Sequence, residues 1–187
     1  TSGVRDANDF GGGFRIPPGA YYGTGAFSIT FWARPTQGST MVNGIFYKHN
    51  HVDGVVIAQT NATNIQVQFN GDDNNVTVNC ASGASMVGKW TMVCAQRIAS
   101  DSLKVWTRKA GDASWATATS STAPGDMTPT DTTFAANWMG DGGGADFRNN
   151  PGAMCAFPRV WLTEALTEAQ LNSLFESGQR MLIGGNT

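Results

Sequence analysis

The sequence predicts an all-β protein, an antiparallel two-sheet sandwich with one short C-terminal helix. Several segments alternate apolar and polar residues with a period of two, which is typical of half-buried strands. Only one segment has the apolar spacing and the end signals of a helix. Turns rich in Gly, Asn, Asp and Pro separate the strand-like segments. Strands with one apolar face bury it most simply by packing two antiparallel sheets together.

The clearest strand covers residues 26–35. Its apolar positions, Phe27, Ile29, Phe31 and Ala33, alternate with Ser28, Thr30, Trp32 and Arg34. The first set must face another apolar layer, and we expect the second set to face water. Pro35 ends the strand because proline has no N–H to donate to a neighbouring strand.

Ten further segments have strand patterns of the same kind. They are residues 13–17, 42–48, 54–59, 63–69, 76–80, 89–98, 102–108, 115–119, 133–139 and 152–162. Residues 70–75 are dense in Asn, Asp and Gly, which predicts a hairpin turn. Residues 109–132 are mostly Ala, Ser, Thr, Gly and Pro, which predicts a long surface excursion containing one short strand.

The helix is predicted over residues 167–177. Thr167 and Gln170 form a capping box at its start, and Gly178 stands where a C-terminal cap belongs. Its apolar stripe consists of Leu171, Leu174 and Phe175. With this helix the 187 residues form a single predicted domain over positions 1–187.

The composition excludes several classes of partner. Only 14% of the residues are charged, the net charge is -2, and the 12 basic residues are scattered singly, which is no footprint for nucleic acid or anionic lipid. No apolar run is long enough to span a membrane, and the first residues do not resemble a signal peptide. Cys80, Cys94 and Cys155 are predicted to be unpaired thiols, which fits folding in a reducing cell.

Four segments, in this order, resemble the LamG-like family of concanavalin A-type jelly rolls. They are residues 27–35, the Gly-Lys-Trp run at 88–90 with the strand after it, residues 103–106, and Phe-Pro-Arg-Val-Trp at 157–161 followed by the helix. The resemblance implies a jelly-roll sandwich with the helix at the sandwich edge. It does not imply one function, because the family includes lectins, glycanases and surface-protein domains.

The same resemblance argues against catalysis. Glycanases of this fold carry a Glu-x-Asp-x-x-Glu strand, whereas here the glutamates are Glu164, Glu168 and Glu176, all at the terminal helix. The Arg-rich and Gln-x-His strands of the related polysaccharide lyases are also missing. The prediction is that the protein is not an enzyme.

The polar strand faces offer a candidate carbohydrate site. Indoles stack on sugar rings and amides bond to hydroxyls, so these residues would make a sugar platform if they shared one sheet surface. The predicted site residues are Trp32, Arg34, Gln66, Gln68, Lys104, Trp106 and Arg108, with Thr30, Thr77 and Asn79 beside them. In the alternative interpretation the 109–132 excursion covers Trp32 and Trp106, which then extend the core.

Two groups of residues could hold a metal ion. Asp141 and Asp146, in a glycine-rich loop, are the predicted Ca²⁺ ligands, with Asp72 and Asp73 as a second pair and ordinary turns as the alternative for both. The run from His49 to Asp53 could present two imidazoles to a transition metal, against the alternative of a solvated loop.

Together these observations predict a non-catalytic module for attachment or surface display. We expect a phage virion protein, either a capsid decoration or a tail protein, which is assembled in the cytoplasm and displayed on the virion surface. Its expected partners are other virion or surface proteins, including other copies of itself in a homo-oligomer. We also expect weak binding to cell-surface glycans. The alternative is an extracellular lectin or carbohydrate-binding domain of a secreted multidomain protein. A polysaccharide lyase or glycanase is the third class.

Overall fold

The structure is a computed structural model and describes residues 15–16, 23–38, 43–48, 54–70, 75–127, 137–139 and 154–184. The strands are β1 (Arg15–Ile16), β2 (Phe27–Arg34), β3 (Asn43–Lys48), β4 (Gly54–Asn61), β5 (Asn64–Asn70), β6 (Asn75–Ala81), β7 (Thr91–Ala99), β8 (Ser102–Lys109), β9 (Ala116–Ser120), β10 (Asn137–Met139) and β11 (Met154–Trp161). One helix, α1 (Glu168–Ile183), follows. Within the described residues, no helix has the length and apolar character needed to cross a membrane.

The strands form two antiparallel sheets. Sheet A has six strands in the order β1-β10-β3-β4-β5-β6, and sheet B has five in the order β11-β2-β7-β8-β9. The main core lies between them and contains the inward-facing rows of β2, β4, β5, β6, β7 and β8. The predicted antiparallel jelly-roll sandwich with a C-terminal helix is therefore confirmed.

Strand β2 is buried on both faces, which corrects the prediction that its polar face meets water. Ser28 is 0% exposed, and Thr30 and Trp32 are each 2% exposed. The cause is α1, whose Leu171 and Phe175 pack with the outward-facing side chains of sheet B in a second hydrophobic cluster. The helix therefore lies over the outer face of sheet B, so that the molecule has three layers: sheet A, sheet B and α1.

Helix α1 is longer than predicted. Thr167 is the N-cap and forms the expected capping box with Gln170, but the helix continues through Gly178 to Ile183 and is followed by Gly184 at a φ of 74°. The prediction of Gly178 as the C-terminal cap is wrong. A Cβ on Gly178 would lie 2.7 Å from Cε2 of Trp32, so this glycine allows the helix backbone to rest directly on the indole.

Candidate functional site

The seven predicted carbohydrate-site residues do not lie on one surface. Trp32, Lys104, Trp106 and Arg108 belong to strands of sheet B, at the face that α1 covers. Arg34 ends β2 in the same sheet, and its Nε donates a hydrogen bond of 2.9 Å to the carbonyl of Gly88. Gln66 and Gln68 lie on β5, in sheet A. The premise of a single shared platform is therefore wrong.

The outer face of sheet B carries a cluster that we call the aromatic layer: Trp32, Trp106, Trp115 and Phe175. The ring centroids of Trp32 and Phe175 are 5.0 Å apart at an interplanar angle of 27°. Trp115 meets Trp106 and Phe175 edge to face, at 6.1 and 5.6 Å. Trp106 is 7% exposed. Trp32, Trp106 and Phe175 are buried by this packing and offer no open face for a sugar, and Trp115 is half-buried.

A buried hydrogen-bond network ties the chain before α1 to sheet B. Ser28 Oγ accepts from the N–H of Leu166 at 2.9 Å and from Nε2 of Gln96 at 3.0 Å. Gln96 Nε2 also donates to the Leu166 carbonyl at 2.8 Å, and its Oε1 accepts from Trp106 Nε1 at 2.6 Å. These bonds satisfy polar groups that could not otherwise be buried, so the helix is held by both packing and hydrogen bonds.

The cationic residues of this face are also engaged with the layer. Arg108 donates to Asn172 Oδ1 at 3.0 Å, and its guanidinium carbon lies 4.1 Å from the centroid of Phe175. Asn172 Oδ1 accepts a second bond, of 2.8 Å, from Trp115 Nε1. Lys104 Nζ is 3.6 Å from the ring centroid of Trp106. The geometry is that of the alternative interpretation, in which the indoles extend the core, although α1 provides most of the cover and the excursion contributes Trp115.

The other two predicted residues belong to a row of polar side chains on sheet A. We call it the amide face: Asn64, Gln66 and Gln68 on β5, and Thr77 and Asn79 on β6. The strand register sets Gln66 opposite Asn79 and Gln68 opposite Thr77. Thr77 and Asn79 are exposed and the β5 residues are half-buried, because the inward row of the same strands fills the core.

Hydrogen bonds order the side chains of this face. Asn79 Oδ1 accepts from Gln66 Nε2 at 3.2 Å and from Asn64 Nδ2 at 3.4 Å, and Asn64 Nδ2 also donates to Thr60 Oγ1 at 2.9 Å. Among the described residues, nothing pairs with the Nδ2 of Asn79, the Oε1 of Gln66 or the amide of Gln68. The face therefore presents both donors and acceptors, as a sugar hydroxyl requires.

The amide face contains no charge. The three adjacent strands β4, β5 and β6 have no Asp, Glu, Lys, Arg or His in their sequences. In sheet B, β2, β7, β8 and β11 all carry arginine or lysine, and in sheet A such residues lie on β1 and β3, away from the amide face. Towards the middle of sheet A the accessible surface ends at Ala58 on β4, which is 2% exposed.

Asn64 was missed by the sequence prediction, and Thr77 and Asn79 were only placed beside the site. The period-two pattern of residues 64, 66 and 68 is the signal that could have included Asn64. The pairing of Gln66 with Asn79 could have followed from the hairpin, because Asn70 pairs with Asn75 and fixes the register.

A small cleft lies between β11 and α1 on the sheet B side. The register of β11 against β2 shifts between Ala156 and Arg159, and Phe157 in this stretch has a φ of 50°, a left-handed conformation that residues other than glycine rarely adopt. The cleft is lined by Thr30, Trp32, Met92, Phe157, Arg159, Leu174, Gly178 and Met181. Its lining is mainly apolar, and Arg159 is its only charged member.

The predicted metal ligands Asp141, Asp146, Asp72, Asp73 and the histidine run at 49–51 lie outside the described residues. Within the described ranges there is no group of three or more His, Cys, Asp or Glu side chains that could hold a metal ion.

Cys80, Cys94 and Cys155 form no disulfide bonds. Burial raises the pKa of the Cys80 and Cys94 thiols, and raises the pKa of Cys155 to about 12. Because the thiolate is the reactive form, these cysteines are not suited to nucleophilic chemistry.

No protein-family model and no curated protein sequence matches this chain. Solved structures match it at low sequence identity. Domain 4 of AbnA, a GH43 extracellular arabinanase from Geobacillus stearothermophilus, solved in complex with arabinotriose, is similar with a TM-score of 0.60 and 18% identity, over 87% of this chain and 71% of that domain structure.

Two larger structures are also similar. A mutant of HCR/D has a TM-score of 0.59 and 14% identity over 81% of this chain, and the botulinum neurotoxin serotype C1 binding domain has 0.51 and 15% over 82%. This chain spans only 37% and 36% of their respective lengths. These likenesses show the β-sandwich fold.

Proposed function

We propose that this protein is a non-catalytic glycan-binding module whose amide face contacts the sugar. The observation that carries the proposal is the ordered row of accessible amide and hydroxyl groups on β5 and β6. Gln66 and Asn79 hold each other in place at 3.2 Å, so binding a sugar hydroxyl costs little side-chain entropy.

The structural comparisons support a binding role. One similar structure is an arabinanase domain solved with arabinotriose, and another is a toxin binding domain. The missing carboxylate motif of glycanases supports a role without catalysis.

The expected affinity of a single site is weak. A few neutral hydrogen bonds, each worth about 0.5–1.5 kcal/mol net, correspond to a Kd of about 1 mM or weaker once the cost of association is included. Several copies displayed side by side would bind through avidity.

Two settings fit such a module. The first is a virion surface, where the chain would be a capsid decoration or a tail protein among other virion proteins. The second is a domain of a larger secreted protein, and it has support from the similar structures, two of which are domains of larger proteins. The mass of the native complex by light scattering, with electron microscopy, separates them: a multi-megadalton particle supports the first setting and a single longer polypeptide supports the second.

Membership of the LamG-like family and Ca²⁺ binding by Asp141 and Asp146 are further proposals. A melting temperature that falls on adding EDTA and recovers with CaCl₂ would support the Ca²⁺ site, and an unchanged melting temperature would argue against it.

The test of glycan binding is an NMR titration with arabinotriose, together with a multivalent array of cell-surface glycans. We expect the side-chain amide resonances of Gln66, Gln68 and Asn79 to shift on addition of a bound glycan. The double variant Gln66→Ala with Asn79→Ala should weaken binding at least tenfold and remain folded, because Gln66 is half-buried, Asn79 is exposed and neither belongs to the core. Surface substitutions of this kind change the free energy of unfolding by about 0.5 kcal/mol or less.

Two control variants make the test specific. Gln179→Ala removes a half-buried glutamine from α1, on the opposite side of the sandwich, and should leave binding unchanged. Arg159→Ala removes the charged group of the β11 cleft. If Arg159→Ala abolishes binding and the amide double variant does not, the cleft is the site and the amide face is not.

A further inference from the structure

We infer that the amide face selects short, uncharged glycans and does not bind glycans through carboxylate or sulfate groups. This inference rests on the proposed glycan-binding function and narrows its ligand class. It follows from two properties of the face, its charge and its size.

The first property is the absence of charge. Strands β4, β5 and β6 carry no titratable residue of either sign, and the residues connecting β5 to β6 add Asp72 and Asp73 to the sequence but no basic residue. The carboxylate or sulfate group of an anionic sugar would lose hydrating water here and gain only hydrogen bonds to neutral groups. The free energy lost by removing this water exceeds the free energy gained from those hydrogen bonds. A sugar hydroxyl exchanges one neutral hydrogen bond for another, so it carries no such penalty.

The contrast with sheet B strengthens this point. The strands of sheet B carry six lysine and arginine residues, namely Arg34, Arg97, Lys104, Arg108, Lys109 and Arg159, whereas the described strands of sheet A carry Arg15 on β1 and Lys48 on β3 and none on β4, β5 or β6. Several of them are bound to the protein itself. Arg108 is bonded to Asn172, and Lys109 Nζ lies 2.8 Å from both the Ser82 carbonyl and the Asp112 carboxylate. Neither the strands of the amide face nor the neighbouring β4 therefore contributes a cation.

The second property is the size of the face. Asn64 and Gln68 are four residues apart on β5, which corresponds to a length of about 13 Å, and β6 lies about 5 Å to the side. The resulting area is on the order of 100 Å², with Ala58 closing it on the β4 side. A stable protein interface needs roughly 800 Å² from each partner. The described face is therefore the size of a short oligosaccharide and is not large enough by itself for a stable protein interface.

The experiment compares neutral glycans with their sialylated and sulfated derivatives on one multivalent array, in 50 and in 500 mM NaCl. We expect binding to the neutral members, with an affinity that changes less than twofold between the two salt concentrations because no ion pair is screened. The variant Thr77→Lys places a cation on the face and should add binding to the sialylated members in 50 mM NaCl that is lost in 500 mM NaCl. Thr77→Gln, its uncharged control, should not add it.

The outcomes separate this inference from the proposed function. Binding confined to sialylated or sulfated glycans and lost in 500 mM NaCl would overturn the selection of neutral ligands while glycan binding stood. Equal binding to neutral and charged members would overturn it too. A protein that bound no member of the array and showed no NMR shift with arabinotriose would overturn both proposals.

Discussion

The outer faces of the two sheets come from strands with the same alternating pattern, but one face is buried and the other is accessible. On sheet B the outward row of β2 is buried beneath α1, down to Ser28 at 0% exposure. On sheet A the outward row of β6 is exposed at Thr77 and Asn79. Each row reads as the polar side of a strand, yet one forms a second core and the other an accessible surface. The difference comes from a helix more than 130 residues away from β2 in sequence.

Composition explains why the helix lies over sheet B. The outward row there includes Trp32, Met92, Cys94 and Trp106, whose apolar surface gains by burial, whereas the outward row of β5 and β6 consists mainly of amides and hydroxyls. A helix with an apolar stripe of Leu171 and Phe175 would leave amides unpaired on sheet A.

Replacing an indole of the aromatic layer should have the largest effect. Trp106→Ala removes the ring that packs on Trp115 and leaves the buried Oε1 of Gln96 without its 2.6 Å donor. We expect the free energy of unfolding to fall by about 3–5 kcal/mol. Chemical denaturation measures it.

The same variant tests which face binds. At temperatures well below its melting temperature, folded Trp106→Ala should retain glycan binding, because the amide face is on the other sheet. A variant that kept its stability but lost binding would reverse the assignment of the two faces.

A single added methyl group should disturb the covered face less. Gly178→Ala would place a Cβ 2.7 Å from Cε2 of Trp32. Overpacking of this kind costs about 1–3 kcal/mol, and the higher helix propensity of alanine returns up to about 1 kcal/mol. We expect a net loss of about 1–2 kcal/mol in the free energy of unfolding, measured by denaturant titration.

The control for this change is Ser173→Ala, on the exposed side of the same helix, where the serine Oγ bonds only to the Ala169 carbonyl at 3.1 Å. It should not destabilise the protein. If Gly178→Ala also proved neutral or stabilising, the close contact between α1 and Trp32 would not exist in solution.

The sequence predicts the sandwich and its elements because the signals that define them are local. Alternation and turn residues give most of the strands, and the capping box gives the start of the helix at Thr167. The end of the helix was misplaced because glycine has two roles, ending a helix and allowing close packing, and Gly178 has the second.

The site was predicted only in part, since the sheet to which a strand belongs is set by long-range pairing. Gln66 and Trp106 have similar patterns around them, and only the strand order places them on different sheets. The cover of Trp32 by α1 is a contact between distant segments and has no local signal. The predicted polar residues of β5 remain part of the candidate site. Their neighbours on β6 could be predicted with them, because β5 and β6 are adjacent in sequence and pair as a hairpin.

The smallest of the expected effects is a fall in stability at alkaline pH, which should involve the covered face of sheet B and leave binding at the amide face unchanged. Cys94 lies in the cluster beneath α1, and burial raises the pKa of its thiol. A thiol whose pKa is higher in the folded state favours folding fully below its unfolded pKa, near 8.5, and this contribution is lost as pH rises above that value. Between pH 8 and 9 we expect the free energy of unfolding to fall by about 0.5 kcal/mol for this thiol, and Cys94→Ala should show a correspondingly smaller slope.

Glycan binding through the uncharged amide face should stay constant over the same interval. Identical slopes for the two proteins would show that Cys94 is not buried beneath the helix, and binding that changed with pH would show that a titrating group belongs to the site.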